Sequence, residues 1–161
     1  MFASVFFLLV CPSLLAADKL KELQDHFDHD PHAATKIKTL DKLELAEFES
    51  ATKAGQAGDY SSVGFIFEKY RDNVRAAFEL LRKEEPDVDR HGGDYRQLEL
   101  EVRRGVREVE ETLLAAPDPI RPPLQIVRED LLFTDDELIH LLFPRRSKDP
   151  VKVPTAPEAK P

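Results

Sequence analysis

Between Val63 and Leu81 the apolar side chains recur at spacings of three and four: Val63, Ile66, Phe67, Tyr70, Val74, Ala77, Phe78 and Leu81. Held over about five turns, that period draws one apolar stripe along an α-helix and leaves the other side to charged residues. Such a helix has to lay its stripe against other helices or against a sheet. Nowhere in the chain is there a run of alternating β-branched residues that reads as a strand, so helices must supply the partner surface. The expected class is all-α.

The same period marks the other segments. Leu20, Leu23 and Phe27 share a face over Asp18 to His29. Asp30 then stands where an N-cap belongs and Pro31 at the first helical position. A second helix is expected from Pro31 to about Ala57, burying Ile37, Leu40, Leu43, Phe48, Ala51 and Ala54 and stopped by Gly58. The third, Ser61 to Lys83, carries the long stripe, with Phe65 and Leu80 off it, and closes at Glu84-Glu85-Pro86. Asp87 to Gly93 reads as a polar loop. Asp94 with Gln97 resembles a capping pair that opens a fourth helix to Ala116, turning Tyr95, Leu98, Val102, Val106, Val109 and Leu113 inward. Gly105 falls on that inner face, and since glycine inside a helix costs about 1 kcal/mol relative to alanine, close helix approach is the expected reason for it. Pro117-Asp118-Pro119 ends the helix. Leu124 to Leu132 follows, and Thr134-Asp135-Asp136-Glu137 reads as a capping box opening a separate short helix that stops at Pro144. The architecture expected is an antiparallel helical bundle with three long helices and shorter terminal ones, spanning residues 18–143.

The two ends differ from this domain. Met1 to Ala17 (MFASVFFLLVCPSLLAA) has no charged side chain, whereas charges are dense from Asp18 on. The apolar run Phe2 to Val10, the breaker Pro12 and the small Ala16 and Ala17 read as a secretory signal peptide, too short to span a bilayer. Its n-region lacks Lys and Arg, so an uncleaved anchor is the rival reading. Lipidation at Cys11 is a second rival, but Val10 before it and Pro12 after it fit an ordinary apolar position better. Cleavage after Ala17 removes the only cysteine, so a mature chain in an oxidising compartment has to rely on packing. At the other end, residues 144–161 are rich in proline and poor in large apolar side chains, which predicts an extended, mobile tail.

Residues 51–70, ATKAGQAGDYSSVGFIFEKY, resemble a tetratricopeptide-type helical hairpin, in which a small-residue helix end and a G-D-Y turn lead into a second helix. Gly93-Asp94-Tyr95 repeats the turn 35 residues after Gly58-Asp59-Tyr60. The resemblance implies stacked hairpins with a concave peptide-binding face. A helix as long as Ser61 to Lys83 suits a bundle with hairpin-like turns better. More loosely, the chain is similar to secreted helical proteins of unknown function.

With 31 acidic and 23 basic residues the net charge is −8, which argues against nucleic acid or anionic lipid as the default partner. Six glycines and one cysteine supply no phosphate-cradling loop and no cysteine framework. The sharpest oddity is DHFDHDPH, residues 25–32, where His26, His29 and His32 interleave with carboxylates. His26 and His29 share a helical face, and neutral imidazoles with carboxylates are what a divalent metal needs; Pro31 sets His32 around a corner. The competing reading is a solvated helix end. His91 and His140 have no visible nucleophile or acid beside them, so neither makes a general base. Tyr70 belongs to the core, while Tyr60 and Tyr95 are expected to fold their rings across hairpin turns with the hydroxyls at the surface. Arg121-Pro122-Pro123 suits a helix connection more than a polyproline ligand. The function expected is therefore non-catalytic and without a cofactor: a secreted or periplasmic structural or interaction protein, presenting a surface to a protein or peptide of the cell envelope. The alternative is an extracytoplasmic divalent-metal-binding protein using His26, His29 and His32.

Overall fold

The computed structural model describes residues 12–144, with side chains from Asp18 onward. The expected leader up to Cys11 and the expected tail from Arg145 lie outside the described residues. The chain runs as α1 (Pro12–His29), α2 (Ala33–Gln56), α3 (Tyr60–Glu84), α4 (Val88–Ala115), a 3₁₀ turn (Asp118–Ile120) and α5 (Arg121–Leu142). Among the described residues there is no strand, as the periodicity requires. The boundary expected at Ala17 falls inside α1.

Local chemistry accounts for the turns. After α2, Gly58 takes φ +77°, the left-handed conformation that glycine adopts without a Cβ penalty. The Gly58 N–H then reaches the Gly55 carbonyl at 3.0 Å and the Asp59 N–H reaches that of Ala54 at 2.9 Å, a Schellman closure. Asp59 at once caps α3, accepting from the Ser62 N–H at 3.1 Å.

Three expected boundaries are corrected. Asp30 does not cap α2: its carboxylate accepts the His32 N–H at 2.9 Å in a local turn, and α2 begins at Ala33 with no side-chain cap from His32. The free Ala33 N–H instead donates to Glu84 Oε2 of α3 at 2.8 Å. Asp87 to Gly93 is not a loop either. Asp87 caps α4 from Val88 on, the helix passes a non-helical step at His91 (φ −113°, ψ 20°), and Asp94 lies inside it; Gln97 donates to Glu101 Oε1, one turn ahead, instead of serving a cap. Finally, Thr134 opens no new helix. Its hydroxyl donates back to the Asp130 carbonyl at 3.0 Å, so α5 runs unbroken for 22 residues from the Pro122-Pro123 pair in its first turn. Four long helices result, where three were expected.

α2 packs along α3 and α4 along α5, α1 docks on α2, and α3 also touches α4 and α5. The stripe of α3 is thereby covered: Val63, Phe67, Tyr70, Val74, Ala77, Phe78 and Leu81 are all buried. Leu98, Val102 and Val109 of α4 and Leu124, Val127, Leu131 and Leu138 of α5 complete the core.

Candidate functional site

Where α4 and α5 run together, Leu100, Arg103, Val106, Arg107, Glu110, Leu132 and Asp135 line a surface groove of about 540 Å³. Arg103 and Arg107 are one turn apart on α4, as are Val106 and Glu110, so one helical face supplies most of one wall. Leu100 is 49% and Leu132 36% exposed, while α5 turns Ile126 and Phe133, at 56% and 66% exposure, to solvent on another of its faces. Two of the four charged residues of the wall are already engaged: Arg103 pairs with Glu99 at 3.2 Å and Glu110 with Arg128 at 2.7 Å. Two groups are not. Arg107 has no ion-pair partner among the described residues, and Asp135 Oδ1 is buried with no hydrogen-bond partner. Burial raises the pKa of Asp135 above its ordinary value, with the Glu99 carboxylate adding to this and Arg103 opposing it. The groove thus combines apolar contact surface with a cationic donor that is unpaired among the described residues.

A second polar concentration lies in the core, where α2, α3 and α4 meet. Glu44, Glu47, Asn73, Glu101 and Tyr70 are all buried. Tyr70 donates to the Glu101 carbonyl at 2.8 Å. Arg104 reaches inward to Glu101 Oε2 and outward to Asp41 Oδ1, each at 3.1 Å, and its Nε stands 3.5 Å from Glu44 Oε1. Asn73 exchanges two hydrogen bonds with Gln24 of α1 at 3.0 and 3.1 Å and donates to Glu47 Oε1 at 3.5 Å. Burial first, and the neighbouring Glu101 second, push Glu44 up to about 9. Burial pushes Glu47 up to about 8 against the pull of Lys69. Both are therefore neutral acids at neutral pH. Glu44 and Glu101 are at 0% exposure, and the cluster meets the surface at Arg104 and Asp41, 37% and 43% exposed.

The three histidines of residues 25–32 are not brought together. His26 is 59% exposed, 3.9 Å from Asp30. The His29 ring donates to the Asp25 carbonyl at 2.7 Å. His32, 75% exposed, looks across to Glu84 at 3.9 Å. Among the described residues one trio of metal-ligating side chains does converge: Glu85, His91 and Asp94, with a donor atom of each within 4.8 Å of the others. The H-x-x-D spacing of His91 and Asp94 was visible in the sequence; the loop reading of DVDRHGG concealed that it lay on a helix. His140 is exposed on α5, its ring donating to the Asp136 carbonyl at 2.7 Å. Tyr95 is buried and its hydroxyl donates to the Glu85 carbonyl at 3.0 Å, folding back across the turn as expected but not reaching solvent.

No helix among the described residues is long and apolar enough to cross a membrane. Comparison with protein-family models, with curated proteins and with solved structures found no match.

Proposed function

We propose that this chain is an exported, non-catalytic helical protein, an antiparallel bundle that receives a peptide or helix of an envelope partner in the groove between α4 and α5. The observation that carries the reading is the pairing of apolar surface with an unused cation in one place. Leu100 and Leu132 offer exposed contact area, while among the described residues Arg107 has no ion-pair partner. A segment with an apolar face and a carboxylate would meet the leucines and Arg107 together, which is the logic of a helix laid in a groove. The resemblance of residues 51–70 to a tetratricopeptide hairpin is in keeping with a peptide-binding role, and the uncharged leader with export.

The test is site-specific photo-crosslinking in the native host, with a photoreactive residue at Leu132 and a control at Glu68, which is exposed on α3. A discrete adduct from position 132, absent from position 68 and lost in Leu100→Glu, is the expected result. Identical adducts from both positions, or none, would refute the assignment.

A further inference from the structure

We propose that Glu85, His91 and Asp94 form a binding site for a divalent transition-metal ion, separate from the groove between α4 and α5. The three converge at the corner where α3 hands over to α4. One ligand atom of each lies within 4.8 Å of the other two, and His91 Nδ1 stands 3.0 Å from Glu85 Oε2. Ligands on an ion at about 2.1 Å stand roughly 3 Å apart when adjacent and about 4.2 Å apart when opposite. The trio is therefore already close to a coordination geometry, within the reach of side-chain rotation.

Charge makes the same demand independently. Glu85 and Asp94 face one imidazole, and among the described residues neither carboxylate has a lysine or arginine partner. Glu85 Oε2 is buried, and among the described residues its close partner is the His91 imidazole, a titratable group and not a fixed cation. Two partly buried carboxylates brought together without a fixed cation repel each other, and a divalent ion between them removes the repulsion.

The scaffold holds the ligands from both sides of the corner. Glu85 caps α3, its N–H donating to the Leu81 carbonyl at 2.9 Å, and its own carbonyl accepts the Tyr95 hydroxyl at 3.0 Å. Tyr95, 1% exposed, is anchored in the core and follows Asp94 directly in α4. His91 sits at the non-helical step of α4, and Asp94 comes three residues later, near the same face. One imidazole with two carboxylates suits Zn²⁺ or Mn²⁺ better than copper(I), which prefers sulfur, or Ca²⁺, which takes oxygen alone. Three protein donors also leave a position for water or for a donor from a partner.

Calorimetric titration of the full, tag-free, chelator-stripped chain with Zn²⁺ alone tests this. A one-site isotherm is expected, weakened more than about tenfold in His91→Ala and in Asp94→Asn, since even an outer partner of a metal ligand commonly costs that much. The triple variant His26→Ala/His29→Ala/His32→Ala is expected to bind like the parent. Zn²⁺ is also expected to raise the melting temperature of the parent and not that of Asp94→Asn, whose near-isosteric change keeps the helix. Absence of binding by the parent, undiminished binding by Asp94→Asn, or loss of binding in the triple variant would each overturn the site.

Discussion

The Tyr70 hydroxyl donates to the Glu101 carbonyl at 2.8 Å across the α3–α4 interface, and the ring that carries it occupies the space a side chain at Gly105 would fill. A Cβ on Gly105 would stand 2.2 Å from Tyr70 Cε1 and 2.6 Å from its hydroxyl. Tyr70 is wholly buried, so its ring has nowhere to go. The glycine exists for the tyrosine.

Gly105→Ala is accordingly expected to destabilise by about 1 to 3 kcal/mol through overpacking, although alanine is the better helix former by about 1 kcal/mol. Denaturant melts decide which wins. In a Tyr70→Leu background the same alanine should cost far less, and an equal cost in both backgrounds would show that the ring is not the obstacle.

Glu44 and Glu47 give the fold a pH dependence with a definite sign. Their carboxyls hold protons up to about 9 and about 8 when folded, whereas the unfolded chain releases them near ~4.3. The folded state therefore binds more protons between those values, so their contribution is fully present below about pH 4.3 and is lost as pH rises through the folded values, at up to about 1.4 kcal/mol per pH unit for each proton. Melts from pH 5 to 9 are expected to show stability falling, with a clearly shallower fall in Glu44→Gln/Glu47→Gln. An unchanged slope in that variant would remove these two acids as the source.

Phe67 is 1% and Phe78 4% exposed, and Phe67 packs against the Phe48 ring at a centroid distance of 5.6 Å. Truncating either to alanine is expected to cost about 3 to 5 kcal/mol, a large part of the stability of a domain this size. Phe65→Ala on the same helix, at a site 69% exposed, should shift the melt little. Comparable losses from Phe65 and Phe67 would contradict the burial pattern.

The start of α2 depends on a residue far away in sequence. Because the Ala33 N–H donates to Glu84 Oε2, Glu84→Ala should cost about 1 kcal/mol, the usual loss on removing a helix cap. Asp30→Ala, which breaks the local bond to the His32 N–H and a 3.9 Å contact with the exposed His26, is expected to cost less. Thermal melts of the two variants side by side check the order, and the reverse order would restore Asp30 as the cap.

What the amino-acid sequence determined alone is everything that repeats within a few residues. A period of 3.6 residues needs no knowledge of the rest of the chain, so the all-α class, the inward face of α3 and the placement of Gly105 on the inner side of α4 were all legible from Val63 to Val109. Gly58 followed by Asp59 likewise announced its turn, since a helix stop and a helix start are local chemistry. The tertiary structure decided what depends on which helix meets which. Glu44 and Glu101 look like solvated helix charges until α2 and α4 bury them together, and Leu100 and Leu132 look like stray apolar residues until α4 and α5 place them along one groove. His26, His29 and His32 were conspicuous because they crowd in sequence, yet the corner at Pro31 points them to separate partners. Glu85, His91 and Asp94 were inconspicuous because a polar stretch ending in Gly92-Gly93 suits a loop and a helix start almost equally, and only the docking of Tyr95 beneath the corner brings the three together. Helical periodicity is set by the backbone alone, whereas convergence of side chains depends on inter-helix distances and angles to which no short stretch of sequence has access.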